Sequence, residues 1–312
     1  MLMICGEALL DVFQGGETRT GMALDANVGG SPFNLAVGLA RLGQPAAFFS
    51  AISTGFAGER LMRALVAEGV DTRAVARTQA PTTLSLIGLD AQGVPSYAFY
   101  GEGCADRLVQ AADLLRVPDA LTLVNIGSYA SVVEPVASTQ RALVDRERAR
   151  GAAGALIAYD PNIRLNVEPD LVRWRDQLDW MLPRTDLLKV SDEDLGLLLP
   201  GTAIDDFAAR ALGRGVRLVV VTRGAQGATG WNTLGRVAID PVPVQVVDTV
   251  GAGDTFQAAL ICWLAEHGAL TRGALGALTL EPLGAALAFA ARAAAITCSR
   301  RGADMPRRAE LG

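Results

Sequence analysis

The chain has 312 residues, half of them hydrophobic, and a formal net charge of −5 with no block of like charge; it can bury one large core or two modest ones, and no nucleic acid is expected as a partner. No run of about 18 uncharged apolar residues reads as a membrane span, and Met1–Phe13 has no basic start before its apolar run, so it reads as a strand and not as a signal peptide. Four scattered cysteines make no disulfide framework and point to the cytoplasm, while one histidine (His267) and one lysine (Lys189) exclude His-based triads, multi-His metal sites and P-loops.

In chain order, Met1–Cys5 is predicted as a strand. Leu10–Phe13, followed by Gly15, Gly16 and a polar stretch to Asp25, reads as a strand pair. Pro32–Leu42 has helical spacing and stops at Gly43; Ala46–Ile52 reads as a strand and Glu59–Glu68 as a helix ended by Gly69. Thr82–Tyr100 reads as two strands joined at Asp90-Ala91-Gln92-Gly93, a hairpin signal. The strands Leu121–Ile126, Ala155–Tyr159, Leu187–Val190 and Leu218–Thr222 then alternate with helices over Ser138–Ala149, Leu171–Trp180 and Asp205–Leu212. Val242–Val247 reads as a strand, Phe256–Leu264 as a helix with His267 at its C-terminal end, and the tail Asp304–Gly312 as loose. This order predicts an α/β fold, a mainly parallel sheet covered by helices on both faces. The stretches 10–26 and 82–104 are expected to form a small β lid on one large domain.

The segment Asp248-Thr249-Val250-Gly251-Ala252-Gly253-Asp254-Thr255-Phe256 carries the strongest chemical signal. Small residues at Gly251, Ala252 and Gly253 leave N–H groups uncovered where a helix begins, which makes an anion site. A carboxylate there, Asp254, repels phosphate unless it has a task, and taking a proton from an attacking hydroxyl is such a task. As a helix cap Asp254 would need no chemistry at all. Upstream, Gly29-Gly30-Ser31-Pro32-Phe33-Asn34 combines two glycines that allow close approach, a proline suited to a first helical turn, and an amide able to bind a polyol.

These two segments resemble the C-terminal and N-terminal signatures of the ribokinase-like (PfkB) carbohydrate kinases, and the resemblance extends over almost the whole chain. It implies a three-layer αβα sandwich with a β-sheet lid, and ATP-dependent phosphorylation of a sugar hydroxyl with Mg²⁺ and a monovalent cation such as K⁺. Asp254 is then the base, and Gly251, Ala252 and Gly253 the anion hole. Gly6-Glu7 with Asp11 looks like the family's first strand, where Asp11 binds substrate hydroxyls together with Gly29, Gly30 and Asn34. Tyr97 and Phe99 close over the sugar, and Arg107 and Arg164 face it; Arg164 belongs to Asp160-Pro161-Asn162-Ile163-Arg164, similar to an element of fructokinases and 2-keto-3-deoxygluconate kinases.

The ATP side is implied at Lys189, Ser191, Thr222, Gly224 and Gly227. Lys189-Val190-Ser191-Asp192-Glu193-Asp194 stands where the family has Asn-x-x-Glu, with Ser191 in place of Asn and Asp194 in place of Glu as the residue holding Mg²⁺ through water. Asp248 and the Val250 carbonyl are the implied monovalent-cation ligands. The closest resemblance is to bacterial fructokinases, with 2-keto-3-deoxygluconate as the alternative substrate and a non-catalytic sugar- or nucleotide-binding regulator as the alternative of another class. A homodimer through the lid is the expected assembly. A Rossmann dehydrogenase is disfavoured, because no Gly-x-Gly-x-x-Gly follows the first strand.

Overall fold

A computed structural model describes residues 1–89 and 95–312. The chain opens with β1 (Leu2–Cys5), β2 (Leu9–Thr18), β3 (Gly21–Gly29) and α1 (Ser31–Arg41), followed by β4 (Ala46–Phe49), β5 (Ala51–Ser53), α2 (Phe56–Ala67) and β6 (Ala76–Thr78). Next come β7 (Thr83–Leu89), β8 (Pro95–Tyr100), β9 (Leu123–Gly127), α3 (Val136–Ala149), β10 (Leu156–Asp160), α4 (Leu171–Met181), β11 (Leu187–Ser191), α5 (Asp192–Leu198), α6 (Ile204–Gly213) and β12 (Leu218–Thr222). The last elements are β13 (Ala228–Asn232), β14 (Gly235–Ile239), α7 (Ala252–Glu266), α8 (Arg272–Gly276) and α9 (Leu280–Cys298).

Among the described residues the main sheet runs β14-β13-β12-β11-β10-β9-β1-β4, parallel from β4 to β12 and antiparallel at β13 and β14. Its strands are apolar on both faces because both are covered. Leu2, Ile4, Leu123, Leu156 and Leu218 point into a core shared with α1, α2, α7 and α9. Their neighbours Met3, Cys5, Val124, Ile157 and Val219 point into a second core shared with α3, α4, α5 and α6. The period-two alternation of one sheet thus builds both cores, and the expected three-layer αβα sandwich is the observed one.

A separate sheet, β3-β2-β7-β8, lies beside these layers, with β2 and β7 parallel and the other pairs antiparallel. It occupies the two stretches expected for the lid. Gly15 and Gly16 lie inside β2, where the register shifts between Gln14 and Glu17. The expected turn at 90–93 lies outside the described residues.

Three local expectations differ. Val242–Val247 forms no strand: Pro241 and Pro243 lack the N–H a ladder needs, and Val244, Val246 and Val247 are exposed. Ala46–Ile52 is two strands, because β4 joins the main sheet while β5 turns away to pair with β6. The tail is packed, not loose: Met305 and Leu311 are buried, and Arg41 donates to both Asp304 Oδ1 (2.9 Å) and the Met305 carbonyl (2.7 Å). Leu280–Cys298 is long and apolar enough to cross a membrane, though its apolar face, including Leu283, Leu287 and Ala290, lies in the first core. His267 does end α7, as expected, stacked on Trp263 with Nδ1 2.8 Å from that residue's carbonyl.

Candidate active site

The N-termini of α1 and α7 meet. Gly38 in α1 permits it: a methyl group there would stand 3.0 Å from Ala258 Cβ in α7 and 2.5 Å from Met305 Sδ. The meeting brings Ser31 and Asn34, three residues apart on one face of α1, onto Asp254 in the first turn of α7. Ser31 Oγ donates to Asp254 Oδ1 at 2.6 Å and Asn34 Nδ2 donates to Oδ2 at 3.0 Å. The carboxylate therefore takes its hydrogen bonds from α1, not from its own helix, which removes capping as its role. Burial pushes the Asp254 pKa above the ordinary aspartate value, against the Ser31 and Asn34 hydrogen bonds and the charges of Lys189 and Arg164.

Gly251, the residue before α7, is left-handed with φ 77°. A methyl group there would also stand 2.6 Å from Ala303 Cβ, so the loop is packed on the segment after α9. Asp248 fixes the same loop, accepting from Val250 N at 3.0 Å and from Gly302 N at 2.8 Å. The first N–H groups of any helix lack intrahelical partners; here those of Gly253 and Asp254 begin α7 beside the carboxylate.

A cavity of ≈ 450 Å³ opens in front of Asp254. Thr249, Val250, Gly251 and Gly253 form one side, with Gly30, Ser31 and Asn34 next to them. Glu7, Tyr129, Asn162 and Arg164 enter from the carboxyl ends of β1, β9 and β10, where open parallel sheets bind ligands. Asp11, Ser85, Ile87 and Phe99 reach it from the small sheet. Burial raises Asp11 to about 6, against Ser85 and Arg164, with Asp254 adding to the rise. Ser128 and Asn162, the non-glycine residues at positive φ among those described, both sit at this edge (φ 54° and 41°). Such strain persists where surrounding structure enforces it, and it clusters at functional sites.

The remaining residues singled out in the sequence take varied places. Gly29 serves Asp11: a methyl group at Gly29 would stand 2.3 Å from Asp11 Oδ2. Gly30, at φ 105°, lies in the cavity wall over the Glu7 backbone. Arg107 is not among the lining residues; its guanidinium sits 5.4 Å from the Phe99 ring centre and 5.5 Å from that of Tyr129. Tyr97 pairs through its backbone with Ile87, and its side chain lies outside the described residues.

Lys189 Nζ donates to Asp160 Oδ2 at 2.8 Å, both groups buried, and a methyl group at Gly253 would stand 3.2 Å from that ammonium. Burial disfavours the charged lysine, but Asp160 beside it, joined by Asp254 and Asp194, outweighs this and holds the pKa above its usual value. Ser191 caps α5, accepting from Asp194 N at 3.0 Å. Asp194 turns inward and accepts from Ile163 N at 3.2 Å, whereas Glu193 is exposed. Thr222 pairs in register with Ser191, and Gly224 and Gly227 (φ 49° and 81°) form the turn that follows. These groups stand at the carboxyl ends of β11 and β12, next along the sheet from the cavity.

Sequence reasoning left out Ser31 and Asp160, although both stood inside segments it singled out. Glu7, Asn162 and Asn166 also line the cavity. Tyr129 had no local signal; its hydroxyl donates to the buried Asp106 at 2.7 Å. The whole arrangement sets a buried carboxylate of raised pKa beside the N-terminus of its own helix, both facing one cavity, which suits proton removal from a hydroxyl beside an anion.

Comparison with known proteins agrees with this. Residues 2–309 match the pfkB family carbohydrate kinase model. A fructokinase of Rhizobium leguminosarum bv. trifolii is 37% identical over 283 residues, covering 91% of this chain and 85% of that one. A fructokinase of Klebsiella pneumoniae is 33% identical over 270 residues, covering 86% and 85%. The crystal structure of the Xylella fastidiosa fructokinase with bound ATP superposes with a TM-score of 0.87 at 27% identity, over 99% of this chain and 96% of that one.

Proposed function

This chain belongs to the pfkB family of carbohydrate kinases, it is an ATP-dependent sugar kinase, and we propose that it phosphorylates fructose with Asp254 as the base. The observation that carries the proposal is the Asp254 carboxylate, fixed by Ser31 and Asn34 at the start of α7 and facing the cavity. Fructose is supported by the fructokinase relatives and by the charge of the cavity. Glu7, Asp11 and Asp254 face it with Arg164 as the one basic side chain among its lining residues. A sugar acid such as 2-keto-3-deoxygluconate would bring its carboxylate against three acidic groups. A non-catalytic regulator has no use for a base of raised pKa at an anion site.

In this reading Asp11 and Asn34 hold sugar hydroxyls, and Asp254 takes the proton of the one that attacks. The N–H groups of Gly251, Gly253 and Asp254 receive the charge of the transferring phosphoryl group, while that of Ala252 is taken by the Thr249 carbonyl, and Lys189 adds positive charge close by. Thr222, Gly224 and Gly227 border the nucleotide. A divalent ion, which we take to be Mg²⁺, neutralises phosphate charge when bound with ATP. Asp194 would hold its waters together with Asp160, whose buried Oδ1 has no hydrogen-bond partner among the described residues. Asp248 with the Val250 carbonyl suits K⁺, because each Asp248 oxygen spends one lone pair on a backbone N–H and keeps another.

The small sheet acts as the lid, bringing Asp11 and Phe99 over the sugar and excluding water as a competing acceptor. We infer a homodimer through this sheet, whose edge strand β3 exposes Met22 and Leu24, and a cytoplasmic setting in keeping with four free cysteines. Sedimentation velocity reads the dimer, which Leu24→Lys should split; a monomeric wild type removes the inference.

The test is ATP consumption with fructose, 2-keto-3-deoxygluconate, ribose, glucose and a nucleoside, each against ATP alone. Fructose should exceed the rest. Asp254→Asn should lower kcat by about 10²–10⁴ with little change in sugar binding. Near-normal turnover in that variant removes Asp254 as the base.

A further inference from the structure

Glu7 follows β1 and is buried at 1% exposure, yet it lines the sugar cavity. Among the described residues its Oε2 has no hydrogen-bond partner, and neither has Oγ of the facing Ser128. Asp106, a buried acid behind Tyr129, is fully engaged: it accepts from the Thr83 and Tyr129 hydroxyls. Glu7 has no such arrangement, and a buried carboxyl left short of donors is costly. Burial accordingly raises its pKa to about 7; Ser128 and Arg164 offset this only in part, and Asp106 adds to it. The backbone of Gly30 lies against the Glu7 stem: a methyl group at Gly30 would stand 3.3 Å from Glu7 Cγ. The protein therefore holds this carboxyl on the cavity wall with Oε2 unmet among the described residues, while the nearby Ser128 hydroxyl and its own backbone N–H offset the burial only in part. A ligand rich in hydroxyl donors would supply what is missing.

We propose that Glu7 is a specificity-determining residue, whose carboxylate accepts a hydrogen bond from one fructose hydroxyl on the cavity wall that carries Tyr129 and Arg164. The assignment rests on the sugar-kinase reading above. It divides the sugar's polar contacts between two carboxyl groups besides the base: Asp11 from the small sheet and Glu7 from the main one. Because the sugar hydroxyl donates, binding favours the ionised form of Glu7. Sugar affinity then rises with pH through neutrality, with Ser128, Asp106, Tyr129 and Arg164 as the polar and charged groups facing the carboxyl.

The experiment measures KM for fructose and for a set of monodeoxyfructoses, with wild type, Glu7→Gln and Glu7→Asp, at pH 6 and pH 8. Glu7→Gln should raise the fructose KM about ten- to a hundred-fold, the range for a charge-assisted hydrogen bond. The ATP KM should stay the same, and the variant should melt no lower than wild type. One monodeoxyfructose should be as poor for wild type as fructose is for Glu7→Gln, and the variant should lose little more on it. Wild-type KM should fall several-fold from pH 6 to pH 8, and that dependence should shrink in Glu7→Gln to the smaller part that Asp11, raised to about 6, contributes. A fructose KM unchanged in Glu7→Gln, or a penalty equal across fructose and every deoxy analogue, overturns the assignment. If Glu7→Gln does not fold, a wild-type KM with no pH dependence overturns it. Wild type that turns over none of these sugars defeats the sugar-kinase reading itself, a result distinct from failure of Glu7 alone.

Discussion

Asp254 sits at the positive end of a helix and is held by a different one. That placement decides what pH does to the reaction. As the proposed base, Asp254 must be ionised to accept a proton, and burial raises its pKa above the ordinary aspartate value. Activity is therefore complete above the raised pKa and is lost as pH falls through it. The acid limb of kcat, read at saturating sugar so that the pH dependence of KM drops out, should lie above the usual range for aspartate near 4. An acid limb at or below that value would mean that another group limits the reaction. The nine residues around Asp254 made it readable from sequence, since a carboxylate at an anion site is a local contradiction. Ser31 was not readable in the same way. Its hydroxyl matters only because α1 meets a helix more than two hundred residues later in the chain.

At the scale of elements, the meeting of α1 and α7 depends on Gly38, which leaves no room for a side chain against Ala258 and Met305. Gly38→Val should overpack this contact and cost about 1–3 kcal/mol by chemical denaturation. It should also lower kcat more than the sugar KM, since it moves Ser31 and Asn34 away from the base they hold. Unchanged stability would mean that the two helices separate freely and that their contact does not align the site. The periodic strands and helices were legible because each buries an apolar pattern of the right period. Val242–Val247 misled for a physical reason: β-branched residues mark strands only where their N–H groups can join a ladder, and two prolines intervene. The break at Ser50 that sends β5 away from the main sheet has no compositional mark at all, because β4 and β5 are apolar and buried alike.

At the scale of the whole molecule, the small sheet touches the cavity through Asp11, Ser85, Ile87 and Phe99 while much of β2 and β3 is exposed. If it is a lid, fructose with a non-hydrolysable ATP analogue should slow hydrogen exchange at 9–29 and 83–89 more than in the main sheet. Equal protection throughout would make it a fixed edge. The alternation of strands and helices made the three layers readable. The order β14 to β4, with β1 between β9 and β4, was not, because nothing in a buried strand's own sequence names its neighbours.

The loop before α7 is finished by residues made after it: Gly302 N donates to Asp248, and Ala303 backs Gly251. The carboxylate itself is held by residues made first, Ser31 and Asn34. Seen as a sequence of synthesis, this loop waits for the end of the chain: one halted short of residue 302 would lack the groups that fix Asp248 and back Gly251.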